Sequence, residues 1–296
     1  IYIGGSLLAT WELIHLTPGG MTGIMNVAAH AGKLHLVSLS WDLTMPFTFW
    51  AGIIGGAFLT TASHGTDQLL VQRLLTCKNL RDSQKALVMS GVIVLAQFVL
   101  FLGVGLMLYA YYQSTPPPAL TSNDEIFPTF IVQNLPHGVS GLVIAAIFAA
   151  AMSNLSGSLN SLASTTIIDF YRPLAGPNVT EARLLNLSRW CTAAWGLVLI
   201  GIAVLARKWG SVFTTGLAIA SCVYGPMLGA FLLGVLTKRA NQIGVMTGMA
   251  VSLAVMTWIK FQTPLAWTWY VLVGTAVCAS VGYLVSLVTK PTALQS

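Results

Sequence analysis

Charge is what this sequence has least of. Lys and Arg number 14 and Asp and Glu 8 among 296 residues, which leaves 7% charged, where a soluble domain carries roughly a quarter. A water-soluble globular domain is excluded. The chain also lacks paired cysteines: Cys77, Cys191, Cys222 and Cys278 stand singly within or at the ends of apolar segments, with no CxxC pair and no His cluster nearby. Neither a disulfide framework nor a zinc site is implied, and the four read as small apolar fillers. Strand-like alternation does not organise the long apolar runs, so the membrane class is helical and not a barrel. The first residue is Ile1, already inside an apolar run, with no initiator Met, no basic leader and no cleavage site. The expectation is that no signal peptide is present and that the chain is the later part of a longer protein.

What is there is 55% hydrophobic, with a mean hydropathy of +0.78. The segment IYIGGSLLATWELIHL at 1–16 reads as the end of a spanning helix closed by Pro18, Gly19 and Gly20, and residues 21–32 suit a short helix outside the bilayer. Met45 to Cys77 follows as one helical run of 33 residues with the polar patch Ser63, His64, Gly65, Thr66, Asp67 and Gln68. A straight helix of that length is roughly 50 Å, against a hydrocarbon layer of about 30 Å. A break or a strong tilt is therefore expected, with Gly55, Gly56 and Gly65 as places for it. Further spans are expected at 86–112, at 138–171, and at about 189–206, 211–236, 241–259 and 267–288, with Gly225 and Pro226 marking a bend. Tyr109, Tyr111 and Tyr112 read as an interfacial belt, and IFPTFIVQNL, after Pro116, Pro117 and Pro118, as a short amphipathic helix.

The formal net charge of +6 is unevenly placed. If the 73–85 loop is cytoplasmic, Arg73, Lys78, Arg81, Lys85, Arg172, Arg183, Arg189, Lys238, Arg239 and Lys290 fall inside, leaving Lys33, Arg207, Lys208 and Lys260 outside. That bias is a topology signal and needs no nucleic-acid partner. Asn178 and Asn186 match the glycosylation pattern, but on the inner side, so they read as chance matches.

The span at 138–171 carries the most unusual pattern. Steps of three and four set Ser153, Ser156, Gly157, Asn160 and Ser164 along one stripe. Polar groups at hydrocarbon depth must point at other helices, at water or at an ion. Two readings stand: an oxygen-lined site for a small hard cation, or a ridge of Ala149, Ser153, Gly157 and Ser161 for close helix packing. Asp67, an acid within a membrane segment, is a functional candidate by default. It lies less than two turns from Arg73, which favours a structural or gating role over proton relay. Asp169, beside Arg172, reads as an interfacial salt bridge. Ser63, His64 and Asp67 superficially offer a hydrolase's nucleophile, base and acid. Residues 63 and 64, however, point about 100° apart on a helix, so only His64 and Asp67 are expected to share a face. A passive channel lacks support, since no ring-forming filter motif is present.

Two stretches carry a family resemblance. GTDQLLVQRLLTCKN at 65–79 is similar to T-N/D-Q-x-x-V-Q-R-x-L-x-x-K-N, and MSNLSGSLNSLASTTIIDFY at 152–171 to S-S-L-x-S-x-x-N-S-x-A/S-T-x-x-x-x-D-I/F/L-Y, with Ser164 where Thr is usual. Both patterns are those of the sodium:solute symporters, which include sodium-coupled sugar, monocarboxylate, proline and sialic-acid transporters. GPMLGAFLLGVLTKRAN at 225–241 resembles the family at the same order in the chain.

The resemblance implies an all-α membrane protein with an inverted-repeat core of five plus five helices. Residues 1–16 would end the fifth core helix, 17–44 form an extracellular loop with a short helix, 45–236 hold core helices six to ten, and 237–296 two peripheral spans and a tail. It implies a sodium site with the Ala150 carbonyl, Ser153 and Asn154 as ligands, Asn154 replacing the usual Ser, and Ser156 at the hydroxyl linked to a second sodium in some members. Gly157 lacks the side chain that some members have there, so one sodium is expected sooner than two. On the broken sixth core helix the solute candidates are Thr60, Ser63 and His64, and the structural or gating group is Asp67, Gln68 and, from 138–171, Asp169. Ser63 and His64 stand where sugar transporters tend to have Tyr-Trp, which makes a smaller or anionic solute plausible; the alternative for His64 is a packing histidine bonded across helices. The function implied is sodium-coupled symport of a sugar or small carboxylate in a cell membrane, without enzyme chemistry. A proton-coupled symporter and a non-transporting sensor of the same fold are the alternatives, and oligomeric state is left open.

Overall fold

The computed structural model is described over residues 2–35, 37–115, 120, 122–176, 179–206 and 210–289. Pro116, Pro117, Pro118, Asn178, Arg207, Lys208 and Lys290, weighed above, lie outside the described residues. The helices in chain order are α1 (Tyr2–Leu16), α2 (Gly20–His30), α3 (Gly56–Thr66), α4 (Gln68–Leu75), α5 (Leu80–Ser114), α6 (Ile126–Asn134), α7 (His137–Ser164), α8 (Arg172–Ala175), α9 (Glu181–Ala206), α10 (Val212–Leu236), α11 (Gln242–Gln262) and α12 (Tyr270–Val288). Wider π turns precede α3 at Ala51–Gly55 and follow α7 at Thr165–Tyr171. Six described segments are long and apolar enough to cross a membrane: Leu80–Ser114, His137–Ala175, Glu181–Ala206, Val212–Leu236, Gln242–Gln262 and Trp267–Val288.

Contacts divide the chain into two compact units, one of Ile1–Ala31 with Ala96–Val212, the other of Gly32–Leu95 with Phe213–Ser296. In the first, α1 stops where Gly19 and Gly20 take left-handed backbone, φ 79 and 55, a conformation that suits glycine. Ala9 and Leu13 of α1 bury with Val104, Leu108 and Tyr111 of α5 and Phe130 of α6. The tyrosine cluster is thus a packing knot more than a belt. Tyr111 is buried edge-on against Phe130, and its hydroxyl donates to Asn134 Oδ1 at 3.1 Å. A buried phenol needs such a partner, which the short helix α6 supplies.

In the second unit, α12 packs between α10 and α11 through small residues. A Cβ on Gly248 would sit 2.6 Å from the Cys278 carbonyl and 2.9 Å from Gly282 Cα, and one on Gly225 would sit 2.9 Å from Gly274 Cα. Backbones meet there because no side chain intervenes, which is how membrane helices gain van der Waals contact without a hydrophobic drive. Pro226 removes a helix donor but leaves α10 continuous from Val212 to Leu236. Thr275 of α12 donates to the Gly225 carbonyl at 3.2 Å beside it. Asn241 caps α11 at Gly244 N (2.8 Å) and donates to Thr289 Oγ1 (2.8 Å) beyond α12.

The run expected from Met45 is helical only from Phe49, because residues 37–48 are extended and turned. It breaks at Asp67, two residues beyond the last glycine proposed for it, where φ −77 and ψ 113 leave the helical region.

Replacing Gly248 by Leu is expected to destabilise the protein by about 1–3 kcal/mol, the usual cost of overpacking. Gly91→Leu, whose Cβ meets nothing within 4 Å, is expected to be neutral. Thermal unfolding of both variants in detergent checks the pair.

Candidate functional site

The stripe on α7 survives intact, because α-helical winding runs unbroken through Ser164. Ala150, Ser153 and Asn154 follow at steps of three and one, and all three are exposed, as are Ser156, Asn160 and Ser164. The helix's serines and threonines fall into two groups. Ser140, Ser158 and Thr166 each donate back to a carbonyl three or four residues earlier, at 3.0, 3.0 and 2.7 Å. Among the described residues, Ser153, Ser156, Ser161 and Ser164 make no such bond. A hydroxyl facing lipid would be expected to turn back on its own helix, so these four are oriented for something else.

Nor is the stripe used for close packing here. A Cβ on Gly157 would meet nothing within 4 Å, and Ala149 and Ser153 are exposed. Instead Met152, Ser156, Gly157 and Asn160 border a cleft of about 490 Å³ that Thr192 of α9 closes on one side. Below it, Trp195 of α9 donates from Nε1 to Thr166 Oγ1 at 3.0 Å, tying the π turn to α9. That turn also corrects the expectation for Asp169. Its wider winding turns less per residue than an α-helix and leaves residue i+3 short of the face of residue i, and Asp169, though exposed, forms no ion pair with Arg172 among the described residues.

On α3, Thr60 is exposed and its carbonyl gathers two donors. Ser63 Oγ donates to it at 3.1 Å, and His64 Nδ1 lies 3.0 Å away. A carbonyl accepts only, so Nδ1 is the donor in that contact. Ser63 Oγ and His64 Nδ1 are 3.1 Å apart. The expected divergence of residues 63 and 64 is thereby corrected: both side chains lean toward the preceding turn and meet on one carbonyl. His64 is thus bonded within its own helix. The pair cannot act as nucleophile and base, since the nitrogen facing the hydroxyl is the protonated one.

Asp67 terminates α3 and opens α4. Its carbonyl accepts from Leu70 N (3.1 Å) and Val71 N (2.9 Å), starting the new helix, while Gln68, the first residue of α4, is exposed. Its carboxylate Oδ2 accepts from the hydroxyl of Tyr224 on α10 at 3.0 Å, a contact across 157 residues of sequence. The motif reading singled out Asp67 and missed Tyr224. The available signal was a lone tyrosine in an otherwise apolar helix, directly before Gly225 and Pro226.

A multi-pass helical membrane protein with one span interrupted at an acid, and another presenting unbonded oxygens, has the architecture of secondary transporters, whose sites are lined by discontinuous helices. Residues 4–252 match the sodium:solute symporter family. The chain belongs to that family, whose members are transporters and not enzymes. It is 31% identical over 280 residues to the sodium/sialic acid symporter NanT of Aliivibrio fischeri, covering 92% of this chain and 54% of that protein. It is 31% identical over 247 residues to the human sodium-coupled monocarboxylate transporter 1, covering 81% and 40%. With the sodium-dependent multivitamin transporter of Oryctolagus cuniculus it shares 33% over 251 residues, covering 81% and 38%. Among solved structures, the substrate-bound outward-open state of a Na+-coupled sialic acid symporter superposes with a TM-score of 0.79 at 27% identity, covering 97% of this chain and 60% of that one. The chain spans about half the length of the curated relatives it matches.

Removing the Tyr224 hydroxyl (Tyr224→Phe) deletes a hydrogen bond to a carboxylate, worth about 1.5–3 kcal/mol. A lowered melting temperature is expected, and the double variant with Asp67→Ala should lose less than the sum of the two single losses. Thermal unfolding of the single and double variants checks that coupling.

Proposed function

We propose that the protein containing this chain is a sodium-coupled symporter of a small organic solute bearing a carboxylate, working by alternating access in a cell membrane. The observation that carries the sodium part is the set of α7 hydroxyls that decline the bond to their own helix. Sodium is a hard cation that takes uncharged oxygens readily, and the Ala150 carbonyl, Ser153 Oγ and the Asn154 amide oxygen offer three on one face. Backbone carbonyls of the first core helix would complete the shell, and Ser156 would add an oxygen on the side of the α9 cleft. Residues 45–236 then act as core helices six to ten, with 1–16 ending the fifth, 17–44 an outer loop and 237–296 peripheral.

Thr60, Ser63 and His64 are the solute candidates. With Nδ1 committed to the Thr60 carbonyl, His64 presents Nε2 outward. No aromatic wall for a neutral sugar ring stands at 63 and 64, and the names of the sialic acid and monocarboxylate relatives point to acidic solutes. Asp67 and Gln68 hold the helix break, and Asp169 belongs to the inner end of its span. Sodium binding would favour the outward-open form and solute binding the inward swing, so that the ion gradient drives accumulation.

The test is uptake by the full-length protein in liposomes, with and without a sodium gradient, against labelled sialic acid, short monocarboxylates and glucose. Uptake of an acid that requires sodium is expected. Ser153→Ala should raise the sodium concentration needed for half-maximal uptake about tenfold, the equivalent of ~1.4 kcal/mol for one ligand. Uptake indifferent to sodium and to Ser153→Ala would overturn the ion site, and a preference for glucose would overturn the carboxylate.

A further inference from the structure

Residues 37–48 alternate strictly. Val37, Leu39, Trp41, Leu43, Met45 and Phe47 are apolar, while the intervening positions are Ser, Ser, Asp, Thr, Pro and Thr. A strand against a core would bury one of those faces. Here the six apolar side chains are 47% to 70% exposed. Six exposed apolar side chains within twelve residues mark an interaction site.

The segment is held in place. Phe49 N donates to the Ser38 carbonyl at 2.8 Å, and Asp42 Oδ1 accepts from both Thr44 Oγ1 (2.7 Å) and Thr44 N (2.9 Å). Those bonds from Thr44 hold the Asp42 carboxyl below its ordinary value, so it stays charged and in water. Trp41 stacks on Trp50 with ring centroids 4.3 Å apart. The Leu43 carbonyl accepts from Ala266 N at 2.9 Å, and Phe47 meets Trp267 edge to face at 6.4 Å.

The last two contacts fix the depth. Residues 263–266 are the turn between two membrane-crossing helices, α11 and α12, and so mark the boundary of the hydrocarbon. The outer end of α11 exposes Trp258 and Phe261 at that level. Tryptophan is the residue that collects at such boundaries. An extended backbone that is not paired along its length is tolerated there and not deeper.

We propose that residues 37–48 are a membrane-interface anchor, lying in the outer headgroup layer of a phospholipid bilayer with the odd-numbered side chains in the acyl boundary and Ser38, Ser40, Asp42 and Thr44 in water. The lipid-facing surface of α11 continues onto the segment through Ala266 and Trp267. Its role is to hold the entrance of the broken helix at constant depth, since Trp50 and the π turn at Ala51–Gly55 follow directly. The inference rests on the transmembrane reading of the chain but not on which ion or solute is moved.

Spin labels on single cysteines test it. The full-length protein in phospholipid liposomes would carry Cys77→Ser and Cys191→Ser, Cys222 and Cys278 being buried. Labels would be placed by Ser38→Cys, Leu39→Cys, Ser40→Cys, Trp41→Cys, Thr44→Cys and Met45→Cys, with Leu102→Cys in α5 as the lipid benchmark. The expected result alternates: labels at 39, 41 and 45 relax severalfold more with oxygen than with a water-soluble nickel chelate, as at 102, and labels at 38, 40 and 44 the reverse. Equal nickel access at odd and even positions would overturn the anchor, as would odd positions shielded from both reagents, which would mean a protein cover. Nickel access at Leu102→Cys would instead overturn the transmembrane reading.

Discussion

Backbone hydrogen bonding in a medium without water governs this molecule. In hydrocarbon an unsatisfied amide costs several kcal/mol, so a spanning segment is helical unless another group takes over its donors and acceptors. Three departures from regular helix here are tied by hydrogen bonds of other groups. Where α3 stops, the Asp67 carbonyl receives Leu70 N and Val71 N, and its carboxylate receives Tyr224. Beside Pro226 the Thr275 hydroxyl of α12 donates to the Gly225 carbonyl. The π turn after α7 carries Thr166, which both donates to Leu162 and accepts from Trp195. Irregular backbone is thus found where protein meets protein, and such places can also line a transport site.

Applied to side chains, the same constraint separates hydroxyls on a single helix that bond back to it from those that do not. Ser158 turns back to the Asn154 carbonyl, yet Ser153 and Ser156, less than two turns earlier, do not. Residue type and helix are the same in both cases. What differs is the face: Ser156 lies with Gly157 and Asn160 on the cleft beside Thr192, which Ser158 does not line. The packing ridge meets no partner among the described residues, since a Cβ on Gly157 would have nothing within 4 Å.

The spans, the short helices α2 and α6 and the existence of a break were legible in the sequence, because long apolar runs, Pro-Gly-Gly and an excess of helix length are local signals. Partner choice was not. Ala149, Ser153, Gly157 and Ser161 have the same spacing as Gly244, Gly248 and Ser252, but only the second set meets backbone, with Ser252 donating to the Gly274 carbonyl at 2.7 Å. A spacing defines a ridge without saying what lies opposite. For the same reason Tyr224 escaped notice while Asp67 did not, since an acid in an apolar run is conspicuous alone and a tyrosine is informative only beside its acceptor. The extended start of the 45–77 run was also hidden: residues 37–48 alternate with period two, but exposed residues on both faces give no core against which to read it.

Three ties along α3 define how the broken helix is held. At its outer end the Gly55 backbone lies against the Thr268 carbonyl so closely that a Cβ could not fit, and Ala51 buries with Ala266 and Trp269. In its middle Ala62 buries with Leu228 of α10 and Val271 of α12. At its inner end Asp67 receives the Tyr224 hydroxyl. Displacing α3 against α10 would open the Leu228 contact and the charge-assisted hydrogen bond from Tyr224, and displacing it against α12 would open the contacts with Val271 and with the turn before it. The helix that carries Thr60, Ser63 and His64 is therefore one mechanical piece with α10 and α12. The side chains of Ser63 and His64 keep their hydrogen bonds within α3, so that piece can move as a body without rebuilding the candidate solute site.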